Sequence, residues 1–452
     1  MDRRQAGVTL ERQKTMFNAT PALEECPTQH RYIEGDHCEL RPAMPVMETL
    51  QQNIGGLHSA TDALVGLQHL FGSTATLIDR LVQGRISPVN VFLLGKPYST
   101  NPRVMHSLQQ DSGYWVHPHS TRQTTRQEND EVMDSRIEQT LQRVQGCLAG
   151  SGGRSLQRIL LIDDGGRANR MLHRPGFADI RHRFTCVEQT RCGTRNISDL
   201  DLQVPVINVA ESWAKLHHES PLIAESVNRE LTKQLRIMAE HGISAGNRAL
   251  VIGYGAIGSA VAGELRSCGY EVAVFETDQA KLQLARREGF TVRRDLQSAL
   301  RSGGYIIGCT GTAIMTRADH KCIRAGSILI SASSADAEFQ GWELRKAGTC
   351  LGRPESWLSD DTSEQARHPC FSLYHVDAGQ GGFHLVNGGF PVNFNGGVDP
   401  IPPAKIQLTR SLLYLGAVQA SHTTESGLHN LDERGQRMII SQMPSAACDQ
   451  AA

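Results

Sequence analysis

The stretch ALVIGYGAIG (residues 249–258) decides the fold. Four apolar residues, Ala249 to Ile252, run directly into Gly253-Tyr254-Gly255-Ala256-Ile257-Gly258, and Ser259 to Arg266 follows as a helical stretch. Strand, tight turn and helix in that order give GxGxxG its physical sense. The first glycine permits the turn, the second lets the backbone approach a pyrophosphate, and the third lets helix and strand pack closely. The helix start then offers unpaired N–H groups to phosphate oxygens. A second strand, Glu271 to Phe275, leads to Glu276, 23 residues beyond Gly253 and close to the roughly 20 expected. A carboxylate there accepts hydrogen bonds from both ribose hydroxyls and repels a 2′-phosphate, so NAD is expected rather than NADP. Gly253, Gly255, Ala256, Ile257, Gly258 and Glu276 are the cofactor residues this reading names. The plain alternative is a nucleotide fold whose site is occluded.

Working outward, Tyr305 to Ile307 and Ser327 to Ile330 read as further strands, each ending in small residues that leave room for a cofactor. Upstream, Val89 to Leu94, Leu156 to Ile162 and Val204 to Val209 are short apolar strands separated by helical stretches, which suggests a second parallel sheet. Leu222, Val227, Leu231, Leu235 and Met238 make one apolar face of a connecting helix. Pro402 and Pro403 suit a helix start. The fold class expected is α/β, with a Rossmann NAD-binding domain and its parallel sheet inserted in a second α/β substrate domain. The domain plan is an irregular lead-in over 1–45, substrate domain over 46–242, NAD-binding domain over 243–385, a return to the substrate domain over 386–420 and a loosely ordered polar tail over 421–452. Apolar spacing from Val46 to Leu81 predicts helices, and the polar run from His117 to Arg136 predicts surface.

Composition narrows the function. The 452 residues carry 46 basic and 47 acidic side chains, a net charge of −1, so no nucleic-acid footprint is expected. The 11 cysteines form no CxxC or Cys/His ligand pair, so no metal is expected and reduced thiols in a cytoplasmic protein are the default. No apolar run approaches the ~20 residues of a membrane span, and Met1 to Thr20 has no apolar core of a signal peptide.

An ordered series of motifs then resembles the S-adenosylhomocysteine hydrolase (adenosylhomocysteinase) family. LLIDDGGRANRMLH (160–173) looks like that family's strand and Asp-Asp-Gly-Gly turn, VEQTRCGTRNI (187–197) like its Glu-Glu-Thr-Thr-Thr-Gly segment, and VPVINVAESWAKLHHES (204–220) like its Val-Pro-Ala-Ile-Asn-Val segment with a downstream lysine. GYGAIG, Glu276 and HLVNGG (384–389) follow in order. The resemblance covers about residues 156–420. It implies tightly held NAD that oxidises a ribose 3′-hydroxyl, a base that removes the neighbouring proton, loss of homocysteine, addition of water and return of the hydride. It also implies a homo-oligomer and a small-molecule substrate of nucleoside or thioether type. Carried over by position, it marks Asp164, Lys215 and Glu219 at the substrate, and Thr190, Thr310, Gly311 and Asn387 at the cofactor. Gln189 stands where the family has a glutamate that reads sugar hydroxyls. Arg191 and Cys192 replace two threonines, Arg167 an aspartate, and Ser334 and Phe394 stand at or near two histidines. The family's His-Met-Thr segment shows no counterpart, the nearest strand-end loop being Lys96 to Thr100.

Three functions follow in order of preference. The first is an enzyme with bound NAD that oxidises a secondary alcohol on the adenosylhomocysteinase plan. The second is a catalytically silent relative that binds NAD and a partner protein. The third, a plain dehydrogenase, lacks the ordered arginine, carboxylate and histidine it would need.

Overall fold

The computed structural model describes residues 39–149, 156–358, 367–377 and 381–444. The expected lead-in up to residue 38 lies outside them. Among the described residues two compact units share the chain, one formed by those within 227–393, the other by those up to 226 together with 394–444. The sequence suggests edges at 242/243 and 385/386; the units divide at 226/227, inside helix Ser220–Glu240, and at 393/394.

The strands, numbered along the chain, are β1 (Thr61–Gln68), β2 (Val91–Gly95), β3 (Trp115–Val116), β4 (Arg158–Asp163), β5 (Phe184–Glu188), β6 (Pro205–Asn208), β7 (Arg248–Ile252), β8 (Glu271–Phe275), β9 (Thr291–Arg293), β10 (Tyr305–Gly308), β11 (Ile328–Ser331), β12 (Thr349–Gly352), β13 (Leu373–Val376), β14 (Phe383–Leu385) and β15 (Gly427–Asn430). The discontinuous unit holds a seven-stranded sheet of order β15-β6-β5-β4-β1-β2-β3, parallel throughout. Successive side chains of a strand point to opposite faces, and both faces here are apolar. Leu64, Leu93, Leu160, Ile162 and Val187 enter one core with helices Pro45–Ile54, Gly72–Val82 and Pro403–His422. Ala63, Val65, Phe92, Ile159 and Leu161 enter the other with helix Asn129–Ala149. Helix Pro403–His422 is buried along most of its length and on all sides, as a helix inside a core must be.

In this sheet β1, β2 and β3 run one way from the centre while β4, β5 and β6 run the other. The reversal falls between β1 and β4. Ligands of open α/β sheets bind beyond the carboxyl ends of strands at such a switch point, so Gln68-His69 and Asp163-Asp164 mark the place to look.

The contiguous unit holds eight strands in the order β12-β13-β14-β11-β10-β7-β8-β9. β7, β8, β9, β10, β11 and β14 are parallel, and β12 and β13 add an antiparallel edge. β7 lies between β8 and β10, so its carboxyl end opens at this sheet's own reversal. The α/β class with a parallel nucleotide-binding sheet is as expected.

Three expectations need correction. Residues 46–81 are a helix, the buried strand β1 and a second helix, because Thr61–Gln68 is covered on both faces. The stretch 117–136 is not simply surface: His117, Ser120, Gln123, Asn129 and Arg136 are buried polar residues, and Arg136 Nη2 donates to the Arg122 carbonyl at 2.7 Å. The segment 421–444 carries regular structure rather than a loose tail. β15 pairs with β6, and the Asp432 side chain caps helix Glu433–Gln442 through Gly435 N at 2.6 Å.

Candidate active site

In the contiguous unit the glycine loop meets its geometric requirements. Gly253 has φ 94°, a conformation that disfavours side chains. A Cβ on Gly258 would lie 2.0 Å from the Gly253 carbonyl oxygen, so helix Ala256–Ser267 reaches β7 only because that atom is missing. A Cβ on Gly255 would meet nothing within 4 Å, which leaves open space at the helix start, beside Ala256 and Ile257. Glu276 Oε2 accepts from Tyr254 N at 2.8 Å, and Oε1 accepts from Thr277 N at 2.7 Å and Asp278 N at 2.9 Å. Burial would raise this carboxyl, but the N–H groups of Asp278, Tyr254 and Thr277 hold it below the usual range. An ionised carboxylate pinned to the glycine loop fits a ribose diol. Thr310 and Gly311 follow β10, and the buried Asn387, at φ 50°, follows β14. Sequence reasoning missed Glu338. Its buried carboxyl accepts from Thr310 N at 2.6 Å, Thr310 Oγ1 at 3.0 Å and Ser331 Oγ at 2.9 Å, and so ties the ends of β10 and β11 together.

In the other unit the polar groups gather at the switch point. Asp164, 3% exposed, receives Lys96 Nζ on Oδ1. Its Oδ2 receives Gln189 Nε2 and lies 3.1 Å from His69 Nε2. Burial alone would raise the Asp164 pKa; Lys96 and His69 outweigh it and hold the carboxyl far below its usual range. Burial works on Lys96 in the opposite sense and is likewise outweighed by Asp164, which holds the ammonium well above its usual value. His69 is the neutral member: burial lowers its pKa and Asp164 only partly offsets this. A neutral ring beside an ionised carboxylate puts the proton on Nε2, so Nδ1 accepts from Ser99 Oγ. His69 is invisible to a sequence reading because the spacing around β1 predicts helix; a histidine does stand in the N-terminal part of this site. Its ring packs with Phe71 (centroids 5.8 Å apart), Tyr98 (5.9 Å) and Phe394 (5.0 Å).

Lys215 and Glu219 sit on one π-helical turn, a form frequent at functional sites. Lys215 Nζ is 2.7 Å from Glu219 Oε2, and Thr409 Oγ1 donates to Glu219 Oε1 at 2.7 Å. The resemblance pairs these two positions with the substrate; the structure pairs them with each other. Thr190 is used structurally, its hydroxyl donating to Glu188 Oε1 at 2.8 Å and accepting from Gly193 N at 3.0 Å as the cap of helix Arg191–Asn196. Arg167, in place of an aspartate, pairs with Asp130 and Asp134. Behind the site, Asp163 and Glu188 face each other across β4 and β5, both fully buried, with Asp163 Oδ1 and Glu188 Oε2 lacking any hydrogen bond among the described residues.

Comparison with known proteins agrees with the glycine loop. Residues 227–353 match the model of the S-adenosyl-L-homocysteine hydrolase NAD-binding domain. Uncharacterised proteins from two strains of Mycobacterium tuberculosis are 33% identical over 365 residues, covering 79% of this chain and 64% of theirs. The S-inosyl-L-homocysteine hydrolase of Methanopyrus kandleri is 26% identical over 311 residues, covering 66% of each. The chain thus spans about two thirds of the length of these curated relatives. Among solved structures, the phosphoglycerate oxidoreductase of Vibrio cholerae is 12% identical at a TM-score of 0.34, covering 63% of this chain and 79% of that one. The fold and loop define an NAD-binding α/β protein of Rossmann type. Within that class the chain is a divergent, adenosylhomocysteinase-like protein. No helix among the described residues is long and apolar enough to cross a membrane.

Proposed function

We propose that the chain is an NAD-dependent enzyme acting on a secondary alcohol of ribose 3′-hydroxyl type in a nucleoside or nucleoside-thioether substrate. The observation that carries this reading is the convergence of Lys96, His69 and Gln189 on the buried, ionised Asp164 at the switch point. NAD, when bound, supplies a hydride acceptor for such an alcohol. Gly253, Gly255, Gly258 and Glu276 would hold it, with Thr310, Gly311 and Asn387 as further contacts. Asp164 and Gln189 Oε1, which has no hydrogen-bond partner among the described residues, offer acceptors to substrate hydroxyls. Lys96 keeps Asp164 charged, and His69 is held as a neutral ring able to accept or return a proton at neutral pH. Lys215, steered by Glu219, presents a cation that can hold a proton near a substrate oxygen. Hydrolysis of an S-nucleosylhomocysteine is the overall reaction this set favours, in a cytoplasmic homo-oligomer.

The test is to purify the full chain, extract its nucleotide, and follow reduced-nicotinamide absorbance on adding nucleosides and their homocysteine thioethers. NAD in the extract with a rise in absorbance on adding substrate is the expected result. NAD present with no rise for any of these ligands would sink the enzymatic reading and favour a silent relative.

A further inference from the structure

One cation beside the Asp164 cluster has almost no partners. Arg410 lies midway along helix Pro403–His422 and is 4% exposed. Its Nε donates to Ser73 Oγ at 3.1 Å. Ser73 is itself bound to Asp399, through Oγ to Oδ1 at 2.5 Å and through N to Oδ2 at 3.0 Å. Neither terminal nitrogen of Arg410 has a hydrogen-bond partner among the described residues, and Arg410 forms no ion pair with them. The nearby carboxylates are engaged elsewhere: Glu219 with Lys215 and Thr409, and Asp164 with Lys96, His69 and Gln189. A guanidinium carries five N–H donors; the four on the terminal nitrogens keep access to solvent and are open to a bound ligand.

Two further observations say what would meet them. Ser73, the anchor of Arg410, is two residues from Phe71, which lies with Phe394 and Tyr98 around His69; Phe71 and Phe394 have ring centroids 5.8 Å apart, Tyr98 and Phe394 5.5 Å. The charge of Arg410 also acts on both His69 and Asp164, so it belongs to the same site. An aromatic wall with a donor fork beside it suits a flat heteroaromatic ring whose edge carries acceptors. The edge of a 6-oxopurine offers two adjacent acceptors, O6 and N7, which a guanidinium meets bidentately, whereas a 6-aminopurine offers N7 beside an N–H donor that opposes it.

We propose that Arg410 is a specificity-determining residue that reads the ring edge of the substrate and selects a 6-oxopurine nucleoside over a 6-aminopurine nucleoside. This rests on the nucleoside reading above. The nucleoside's sugar would lie toward Asp164 and Gln189, and its base toward Phe71, Phe394 and Arg410.

The experiment is calorimetric titration of the full chain with inosine and with adenosine, for wild type, Arg410→Met and Arg410→Lys. Wild type is expected to bind inosine at least about tenfold more tightly, the scale of one bidentate pair. Arg410→Met, similar in volume and apolar, should bring the ratio to near one, and Arg410→Lys should leave an intermediate ratio, with circular dichroism confirming the fold of each. If the variants do not fold, the wild-type ratio alone decides. Adenosine binding as tightly as inosine overturns the proposal and leaves the nucleoside reading standing. A preference for inosine that survives in folded Arg410→Met overturns the role of Arg410. Binding of neither nucleoside overturns the nucleoside reading and this proposal with it.

Discussion

Asp163 and Asp164 are adjacent in sequence and opposite in electrostatics. Asp164 faces a lysine and a histidine and stays ionised. Asp163 lies opposite Glu188 and forms no ion pair among the described residues; burial, reinforced by Asp164, pushes its pKa up to about 7 against the N–H groups of Asn169 and Ala168 and the more distant charge of Lys96. Burial also raises Glu188, and Asp163 adds to the shift. The pair therefore holds a proton that the unfolded chain would give up near pH ~3.9. A folded-state pKa above the unfolded one contributes stability that is complete below the unfolded value and is lost as pH rises through the folded one. Asp163→Asn has no such proton to lose. Its denaturation midpoint should gain on that of wild type between about pH 5 and pH 7.5, by roughly 2 kcal/mol in stability. A constant gap between the two proteins over that range would show that Asp163 ionises normally.

At the scale of elements, the two later glycines of the loop separate folding from binding. Gly258→Ala would drive a methyl into the Gly253 carbonyl, forcing helix Ala256–Ser267 off β7, at a cost of about 2 kcal/mol or more. Gly255→Ala meets no protein atom and Gly255 has φ −85°, so that variant should melt as wild type does while losing NAD from the purified protein. Melting curves together with nucleotide extraction check both, and a Gly255→Ala protein that keeps its NAD would remove the pyrophosphate from that space. These elements are legible in the sequence because the loop's spacing follows from backbone approach to a phosphate, which leaves few residue choices. β1 is not. Its apolar residues fill both faces, so no alternation marks it as a strand, and the helical spacing over 46–81 covers a short buried run that periodicity alone cannot assign. With β1 goes His69, one of the three side chains that converge on Asp164. Arg410 does leave a trace, a lone arginine inside the apolar run IQLTRSLLYL (406–415), the sort of buried charge that needs a reason. The Lys96 to Thr100 loop stands out by its place at a strand end, but the partner of its lysine emerges only when β2 and β4 are brought into one sheet.

On the scale of the molecule, the two units differ in how sequence supplies them. Residues 227–393 form one continuous piece with its own core of Leu250, Ile252, Ile306, Leu329, Phe339 and Leu385. Expressed alone, that piece should fold and keep NAD, as circular dichroism and nucleotide extraction would report. The piece 35–226 should not fold alone, because helix Pro403–His422 supplies Leu408, Leu412, Leu413 and Tyr414 to its core, and β15 closes its sheet. A cooperative melt from that fragment would contradict this dependence. The same division sets a timetable during synthesis. At roughly 5–20 residues per second the ribosome needs on the order of 10–30 s to pass from residue 226 to residue 403. Throughout that interval the β1–β6 strands wait without their buried helix, exposing apolar surface, while the nucleotide-binding piece emerges and can close behind them. The later-made unit is thus ready first, and holdase chaperones have a defined window in which the earlier one is their client.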